Sequence, residues 1–465
     1  MSFIAENSFL WQKLAVEMIH SDSVEITLEH LRKGIKIILI RFGLHTEEEN
    51  QIMLHIANTA IELYCSETTT PCRATIGIAC ELSGKEPRLK FNRNNGPIKV
   101  TLGQKMFLTA NRLYEDKNVD MVVYVTNIEE NVNQLQAGDR IRIGQIEFKV
   151  CKVKGKYVEC CVKLIANSDS ASSTLLYAYQ PLQLNMRTKQ WLVSKKDIDE
   201  CRYAILNNCR FIVIPDIEHH KQFHAIHDVL RMCQIDLDSI HIIAKFPPYI
   251  SEATVDKTIQ SIAGVLTNDN KLIRKCKKYG KAVLFDTNAE ENILPRNSIL
   301  QHVDVFIIRH SDIDDTKDKL RELNHKTLTT RNTTASVYGK PRNIASQCIE
   351  YASNHCKANA IILCISNTAC EAERLSRRTM PCPILIATYD DNVAHHLLLR
   401  KYCFPIMISQ EIASKRRLLI KYISIFGRNS GYLKPGNLVI TGFGEHIVQG
   451  IELRFVPDNF ALLLK

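Results

Sequence analysis

Short apolar runs alternate with amphipathic helices over the first 88 residues of the chain. Residues 35–40 and 76–80 are almost wholly apolar, which is typical of strands that are covered on both faces. Between them, residues 47–64 place apolar side chains at the spacing of one helical face. Alternating strands and helices favour a parallel sheet, so this segment predicts the beginning of a β/α fold.

The pattern changes to period-two alternation after residue 89. Turn residues such as those at 137–139 separate several of the short segments. Close spacing of this kind is typical of a small β-barrel or sandwich. Because the β/α pattern resumes afterwards, we predict an inserted β domain over residues 89–185. Its predicted strands are residues 98–102, 121–126, 140–143, 145–150 and 157–164.

Helices and strands alternate again from residue 194 onward. Residues 15–88 and 186–333 together carry enough strands and helices for a (β/α)8 barrel, and residues 337–465 predict a separate open α/β domain. The barrel strands predicted in the second segment are residues 211–215, 240–245, 264–267, 282–285 and 303–308. Those of the last domain are residues 360–364, 384–387, 404–407 and 438–440.

Charge and cysteine content narrow the class of protein. The net charge of +10 suggests an anionic partner, but the basic residues are spread along the chain without interleaved aromatic residues. We therefore expect no nucleic-acid partner, and a phosphorylated small molecule stays open as the anion. The apolar runs are too short and interrupted for a membrane span. The sixteen scattered cysteines form no CxxC pair and the N-terminus has no secretion signal, which predicts a cytoplasmic protein.

Lys245 is the first candidate for a catalytic residue. It stands at the polar end of the apolar run 240–245, and the carboxyl ends of barrel strands are where active sites form. The residues after it are Phe246, Pro247 and Pro248, which offer no side-chain oxygen for a metal. This pattern indicates that the chain keeps the architecture of an enzyme but has lost some of the residues that catalysis requires.

Three motifs, in their order and spacing, carry a resemblance to a known family. Residues 192–198 (LVSKKDI) are similar to "LPAxSEKDI", residues 279–288 (YGKAVLFDTN) to "AGKPVICATQ", and residues 434–439 (KPGNLV) to "KxGDxV". The chain thus resembles pyruvate kinase over nearly its whole length. The resemblance implies a (β/α)8 TIM-type barrel with an inserted small β-barrel domain and a C-terminal open α/β domain.

The resemblance also implies roles for single residues. Lys245 matches the family's catalytic lysine, and Thr287 matches the threonine near the proton-transfer end of the site. Arg88, which closes the counterpart of "DTKGPEIR", and Asn288 are implied to bind substrate. Glu81 stands where that motif has Asp.

Family members use Mg²⁺ and K⁺, and both sites are degraded in this sequence. Glu81 and Asp269 are the remaining weak candidates for the divalent ion, because Pro247 replaces the metal-binding glutamate. In the counterpart of "RLNFSHG", residues 39–45, Arg41 and Gly43 replace two oxygen ligands of the monovalent ion. The guanidinium of Arg41 is then a candidate to substitute for that ion's charge.

The segment that corresponds to the family's sugar-phosphate loop, "TKSGRS", has also changed. Ser366, Asn367 and Thr368 remain as possible donors to a phosphate at a helix N-terminus. The alternative is a plain helix cap, because the lysine and arginine of the loop are missing.

Two principal hypotheses about function follow from the resemblance. The first is a pyruvate kinase that transfers a phosphoryl group between phosphoenolpyruvate and ADP in glycolysis, giving pyruvate and ATP, as a homo- or hetero-oligomer that is tetrameric in the family. The second is an inactive pseudoenzyme that serves as a binding or regulatory subunit of such an oligomer. One electrostatic element is commonly worth about 10²–10³ in rate, so the loss of several together favours the second on mechanism. A different reaction on the same barrel is a third reading, although no new nucleophile–base pair supports it.

Overall fold

The computed structural model describes most of the chain and divides it into two compact units. The first unit contains residues 1–41, 47–82 and 198–465, and the second contains residues 42–46 and 83–197. The described residues are 12–67, 72–84, 87–90, 97–114, 121–126, 128, 135–143, 146–165, 173–176, 182–184, 195–232, 239–247, 250–287, 299, 301–309, 312–329, 344–365, 369–378, 380–444 and 450–457.

Strands and helices are numbered along the chain. The strands are β1 (Lys13–Glu17), β2 (Ile37–Arg41), β3 (Arg73–Ala74), β4 (Gly77–Glu81), β5 (Arg88–Lys90), β6 (Ile98–Thr101), β7 (Lys105–Thr109), β8 (Val122–Thr126), β9 (Arg140–Ile143), β10 (Ile146–Lys154), β11 (Tyr157–Ile165), β12 (Ser173–Leu176), β13 (Leu182–Leu184), β14 (Cys209–Ile214), β15 (His241–Ala244), β16 (Gly264–Leu266), β17 (Ala282–Asp286), β18 (Val305–Ile308), β19 (Ala360–Ile365), β20 (Ile384–Thr388), β21 (Cys403–Met407), β22 (Leu438–Gly444) and β23 (Gly450–Phe455). The helices are α1 (Val24–Arg32), α2 (Glu47–Ser66), α3 (Lys195–Leu206), α4 (His220–Met232), α5 (Glu252–Ile259), α6 (Asn270–Lys278), α7 (Ile313–Thr329), α8 (Ile344–His355), α9 (Cys370–Ser376), α10 (Asp391–Leu398), α11 (Gln410–Ala413) and α12 (Arg416–Asn429).

Eight parallel strands of the first unit close into a barrel in the order β1-β2-β4-β14-β15-β16-β17-β18. Apolar side chains such as Leu39, Phe211 and Ile243 fill its interior. Gly77 is required there, because a Cβ on this residue would lie 2.2 Å from the ring of Phe211. The strands read as unbroken apolar runs because both faces of the sheet are covered.

The second unit is built from antiparallel strand pairs and one parallel pair, β7 with β8. Its seven-stranded sheet has the order β13-β9-β10-β11-β7-β8-β5, and β6 pairs with β12 in a two-stranded sheet. The alternation of buried and exposed residues in Ile98–Thr101 matches strands with one covered face. Phe148 and Val158 lie in the core of this unit.

The C-terminal half carries a six-stranded sheet in the order β23-β22-β19-β20-β21-β3. Strands β19 to β22 run parallel, and β23 pairs antiparallel with β22. One edge strand comes from far away in the sequence, since Arg73 and Ala74 pair antiparallel with Met407 and Ile406. The connection from α2 to β4 thereby ties the barrel to this sheet.

The end of the barrel at which its strands begin, called the barrel floor here, packs on α10 and on the residues that follow this helix. Leu398 and Leu399 belong to the same apolar cluster as the barrel interior. Lys13 Nζ donates to the carbonyl oxygen of Arg400 at 2.7 Å, and burial lowers the pKa of Lys13 to about 7. Asp304, which is 1% exposed, accepts hydrogen bonds from the backbone nitrogens of Val283 at 2.8 Å and of Lys401 at 3.1 Å. One buried carboxylate therefore joins the barrel to the C-terminal half.

The fold class predicted from the sequence is confirmed, and most predicted strands agree with the structure within two residues. The domain boundaries at residues 88, 185 and 337 stay predictions. Seven strands of the described residues were missed, namely β1, β3, β5, β7, β12, β13 and β23. Strand β3 is too short for a periodic signal, and β1 follows a segment without a clear pattern. No helix in the described ranges is long and apolar enough to cross a membrane.

The buried His241 predicts a loss of stability in acid. This residue begins β15, it is 7% exposed, and its ring centre lies 5.7 Å from Phe211 and 5.5 Å from His396. Burial, with repulsion from His396 and His395, lowers the pKa of His241 to about 3. Between about pH 6.5 and 3 the unfolded chain then binds the extra proton, so the free energy of unfolding falls as pH falls, by at most about 1.4 kcal/mol per pH unit from this group.

We expect His241→Leu to flatten this dependence when urea unfolding is measured between pH 4.5 and 7. The exposed His55 provides the control, since His55→Leu changes a histidine on the outer face of α2. Equal pH slopes for wild type and His241→Leu would contradict the assignment, whatever the absolute stability of the variant.

Candidate active site at the barrel mouth

Charged residues end four of the barrel strands. Glu17, Arg41, Glu81 and Asp286 are the last residues of β1, β2, β4 and β17, and Lys245 directly follows β15. Because these strands are parallel, their carboxyl ends lie on the same face of the barrel. The barrel mouth therefore gathers three carboxylates and two cations.

Arg41 lies at the centre of this group. Its Nη2 is 2.5 Å from Asp286 Oδ2, its Nη1 is 3.1 Å from Glu81 Oε2, and its Nε is 3.5 Å from Glu17 Oε1. The side chain is 10% exposed. Burial would lower the pKa of Arg41, but the negative charges of Asp286, Glu81 and Glu17 raise it well above the ordinary value. The guanidinium therefore stays charged at any pH at which the protein is folded.

Lys245 completes the group from the opposite side of Glu81. Its Nζ donates to Glu81 Oε1 at 2.7 Å, while the other oxygen of that carboxylate faces Arg41. The Lys245 side chain is 28% exposed, whereas that of Glu81 is 5% exposed. Glu81 thus holds two cations at once, and Lys245 is the member of the group that reaches solvent.

Backbone bonds fix the neighbouring strand end. Thr287 donates from Oγ1 to the carbonyl oxygen of Ile307 at 2.7 Å, and it is 4% exposed. Asn268 Nδ2 donates to the carbonyl oxygen of Asp286 at 2.8 Å, and the Asp286 nitrogen donates back to Asn268 Oδ1 at 3.0 Å. This reciprocal pair holds the backbone of Asp286 where its carboxylate meets Arg41.

Asp269 has a local structural contact in this conformation. It is the N-cap of α6, and its Oδ1 accepts from the Lys271 nitrogen at 2.8 Å. A carboxylate at an N-cap satisfies a backbone donor that the helix leaves open. The sequence-predicted metal role of Asp269 therefore competes with a capping role.

Few side-chain oxygens that could bind a metal ion follow β15 and β4. Pro247 and Leu82 are buried, and neither side chain carries an oxygen. Within the part of the chain that the structure describes, no three His, Cys, Asp or Glu side chains are arranged to hold a metal ion. The carboxylates at the barrel mouth face a guanidinium and an ammonium instead.

The other sequence-predicted residues belong to the second unit or fall outside the described residues. Arg88 begins β5 of the second unit, where its backbone nitrogen donates to Thr126 Oγ1 at 3.2 Å. Asn288 falls outside the described residues. The predicted effector segment, Ser366, Asn367 and Thr368, also lies outside them.

Glu17 and Asp286 were not predicted from the sequence. Each is an acidic residue that ends an apolar run, LAVE in one case and VLFD in the other. The same signal, a single charge at the end of a buried strand, marks Arg41 and Glu81. Charged strand ends taken together would have identified the group, provided that β1 had been recognised as a strand.

Comparison with known proteins agrees with the architecture. The family model described as pyruvate kinase, barrel domain, matches residues 18–267, and the one described as pyruvate kinase, alpha/beta domain, matches residues 343–451. Pyruvate kinase of Trypanoplasma borreli is 20% identical over 479 residues, covering 92% of this chain and 91% of that protein. The chloroplastic pyruvate kinase isozyme G of Nicotiana tabacum is 22% identical over 238 residues, covering 47% of this chain and 39% of that protein. The two family models together cover most of the chain, which therefore belongs to the pyruvate kinase family.

Proposed function

We propose that this chain is a non-catalytic member of the pyruvate kinase family, which serves as a binding or regulatory subunit of a pyruvate-kinase-type oligomer. The observation that carries the proposal is the guanidinium of Arg41, held within 2.5 to 3.5 Å of three carboxylates at the barrel mouth. In this proposal, the guanidinium of Arg41 takes the place of the monovalent cation that family members bind.

The donor set does not suit a monovalent metal ion. Arg41 and Gly43 stand at two positions where the family motif supplies side-chain oxygens. Arg41 brings a positive charge to the place, and Glu81 and Asp286 already face it. A K⁺ ion there would meet repulsion instead of ligands, so we derive no catalytic step through it.

The divalent site is equally unsuited. Mg²⁺ requires six oxygens in near-ideal octahedral geometry, usually from one or two carboxylates with substrate and water. Pro247 offers none, and Glu81 is engaged by both Lys245 and Arg41. Releasing Glu81 would break a buried ion pair, which commonly costs about 3–5 kcal/mol. We therefore derive no step through Mg²⁺ either.

Two departures from the family motifs compensate each other, which supports a structural role for the charged group at the barrel mouth. Arg41 stands where the family motif has Asn, and Asp286 stands where the strand motif "ATQ" has Ala. The two residues form an ion pair at 2.5 Å. A buried charge is tolerated only when a partner compensates it, so each change explains the other.

Phosphoryl transfer between phosphoenolpyruvate and ADP is the second candidate. Lys245 remains at the barrel mouth and is partly exposed, where it can neutralise charge on a transferring phosphoryl group. Arg41 would supply the fixed positive charge that a K⁺ ion supplies in the family, and Thr287 would stand at the proton-transfer end. This candidate requires chemistry without the usual two metal ions. The substrate-binding roles of Arg88 and Asn288 belong to it, and so does an effector role for residues 366–368.

We predict no metal-dependent pyruvate kinase activity in the purified chain. A coupled assay with phosphoenolpyruvate and ADP, with Mg²⁺ or Mn²⁺ and with K⁺, should give no more pyruvate than Lys245→Met does. Calorimetric titration with Mn²⁺ should show no stoichiometric binding, because Glu81 is committed to two cations. A metal-dependent rate that disappears in Lys245→Met would favour the second candidate. Mixing the chain with an active pyruvate kinase and measuring co-elution tests the subunit role separately.

The ion pair between Arg41 and Asp286 should show strong coupling in a double-mutant cycle. Arg41→Asn leaves three carboxylates facing one another, and we expect it to destabilise the protein by about 3–5 kcal/mol. Adding Asp286→Ala should recover part of this loss, with a coupling free energy of about 1–3 kcal/mol. The urea midpoint and its m-value, measured for all four proteins, give the cycle.

An exposed ion pair on the same unit is the control for this cycle. Arg32 pairs with Glu67 at the surface, with side chains that are 55% and 39% exposed. Arg32→Asn should change stability by less than about 1 kcal/mol. Strictly additive effects of Arg41→Asn and Asp286→Ala would mean that the two residues do not act as a pair.

A further inference from the structure

A small cavity lies at the barrel floor, at the opposite end from the Arg41 group. Its volume is about 280 Å³, and its lining includes Tyr279 and the acidic and basic residues Lys281, Glu373, Arg377, His396 and Arg400. Tyr279 and Lys281 precede β17, while the other four belong to α9, to α10 and to the residues after these helices. The cavity therefore joins the barrel to the C-terminal half.

Positive charge exceeds negative charge around this cavity. Among the described residues that line it, Glu373 is the one carboxylate, and it faces three basic residues. Its Oε1 is 3.1 Å from Arg377 Nη2 and also pairs with Arg400 Nη2, and its Oε2 is 3.8 Å from His396 Nε2. Burial opposes ionisation, but the hydrogen bond from His396 and the charge of Arg400 hold the pKa of Glu373 well below its usual value. One carboxylate is thus shared among more cations than it can neutralise.

Arg400 has more hydrogen-bond donors in its guanidinium than the described residues around it have acceptors for. Its side chain is 5% exposed, and its Nη1 donates to the carbonyl oxygen of Gly280 at 2.6 Å. Its Nε is buried and has no hydrogen-bond partner among the described residues. Leaving a buried donor unsatisfied is unfavourable, more so when the group is charged. Arg400 therefore contributes a fixed positive charge to the lining of the cavity.

Arg377 provides the accessible side of the cavity. Its side chain is 46% exposed. A Cβ on Gly280 would lie 2.4 Å from Arg377 Cζ, so the bare glycine backbone makes room for the guanidinium. Gly280 has a φ of +68°, which a glycine adopts without strain. The sequence thus places this guanidinium at the cavity wall by means of a residue without a side chain.

We propose that this cavity binds a phosphate group, either as inorganic phosphate or as the phosphate of a small phosphorylated metabolite. Arg377 places a half-exposed guanidinium at the cavity wall, and a guanidinium matches the oxygens of phosphate, which arginine binds bidentately. The cavity has a volume of about 280 Å³, which is enough for a phosphate group. A bound phosphate would connect α9 with the segment before β17 and hold the two halves of the first unit together. This proposal is independent of whether the barrel mouth is catalytic.

Titration of the full chain with inorganic phosphate tests the proposal. We expect saturable binding in calorimetry and a rise of the melting temperature with phosphate concentration, since a ligand that binds only the folded state stabilises it. Chloride at matched ionic strength should give neither effect. Glycerol phosphate should compete for the same site, and its affinity relative to inorganic phosphate tells a metabolite site from a site for the free ion.

Arg377→Gln should weaken phosphate binding by about tenfold or more, the size expected for losing a charge-assisted hydrogen bond. Arg374→Gln is the matched control, because Arg374 lies on the same helix, is 44% exposed and pairs with Glu371 at 2.9 Å. Arg377→Lys, which keeps the charge but loses the fork, should bind with intermediate affinity and covers the case in which Arg377→Gln fails to fold. Absence of saturable binding to wild type, or equal binding by Arg377→Gln and Arg374→Gln, would overturn the proposal.

Discussion

Electrostatic balance at the barrel mouth is the constraint on which the arrangement of strand ends depends. Three carboxylates end β1, β4 and β17, which are not adjacent in the barrel, and they would repel one another strongly in a site so sheltered from water. The guanidinium of Arg41 lies among them, and Lys245 supplies a second positive charge to Glu81. A planar guanidinium with several donors is suited to this position, because it contacts separate carboxylates at the same time.

The stability of the barrel does not depend on catalytic chemistry at the barrel mouth. Barrel stability comes mainly from the apolar interior and from the covering helices, which do not depend on metal ligands. Arg41 and Asp286 compensate each other's charge at the strand ends. The fold therefore sets no requirement for catalysis, and function has to be argued from the site itself.

Buried charges also organise the barrel floor, in a different manner. Asp304 accepts from backbone nitrogens of the barrel and of the C-terminal half, and Lys13 donates across the same boundary. Burial of such groups is unfavourable unless each is hydrogen-bonded. These bonds therefore fix the position of α10 under the barrel more specifically than the contacts of Leu398 and Leu399 do. The cavity lined by Arg377 and Arg400 lies beside this junction.

The sequence by itself determined the fold class, since the change from β/α periodicity to alternation and back is a local property of the chain. It also pointed to Lys245, through its place at the end of a predicted strand, and to Glu81, through its place in the motif that resembles "DTKGPEIR". The ion pairs of Arg41 with Glu17 and Asp286 were decided only by the tertiary structure. These residues are 24 and 245 positions apart from Arg41 along the chain, and only closure of the barrel brings their strand ends together. No local pattern can encode such a distance, because it depends on the stagger and order of all eight strands.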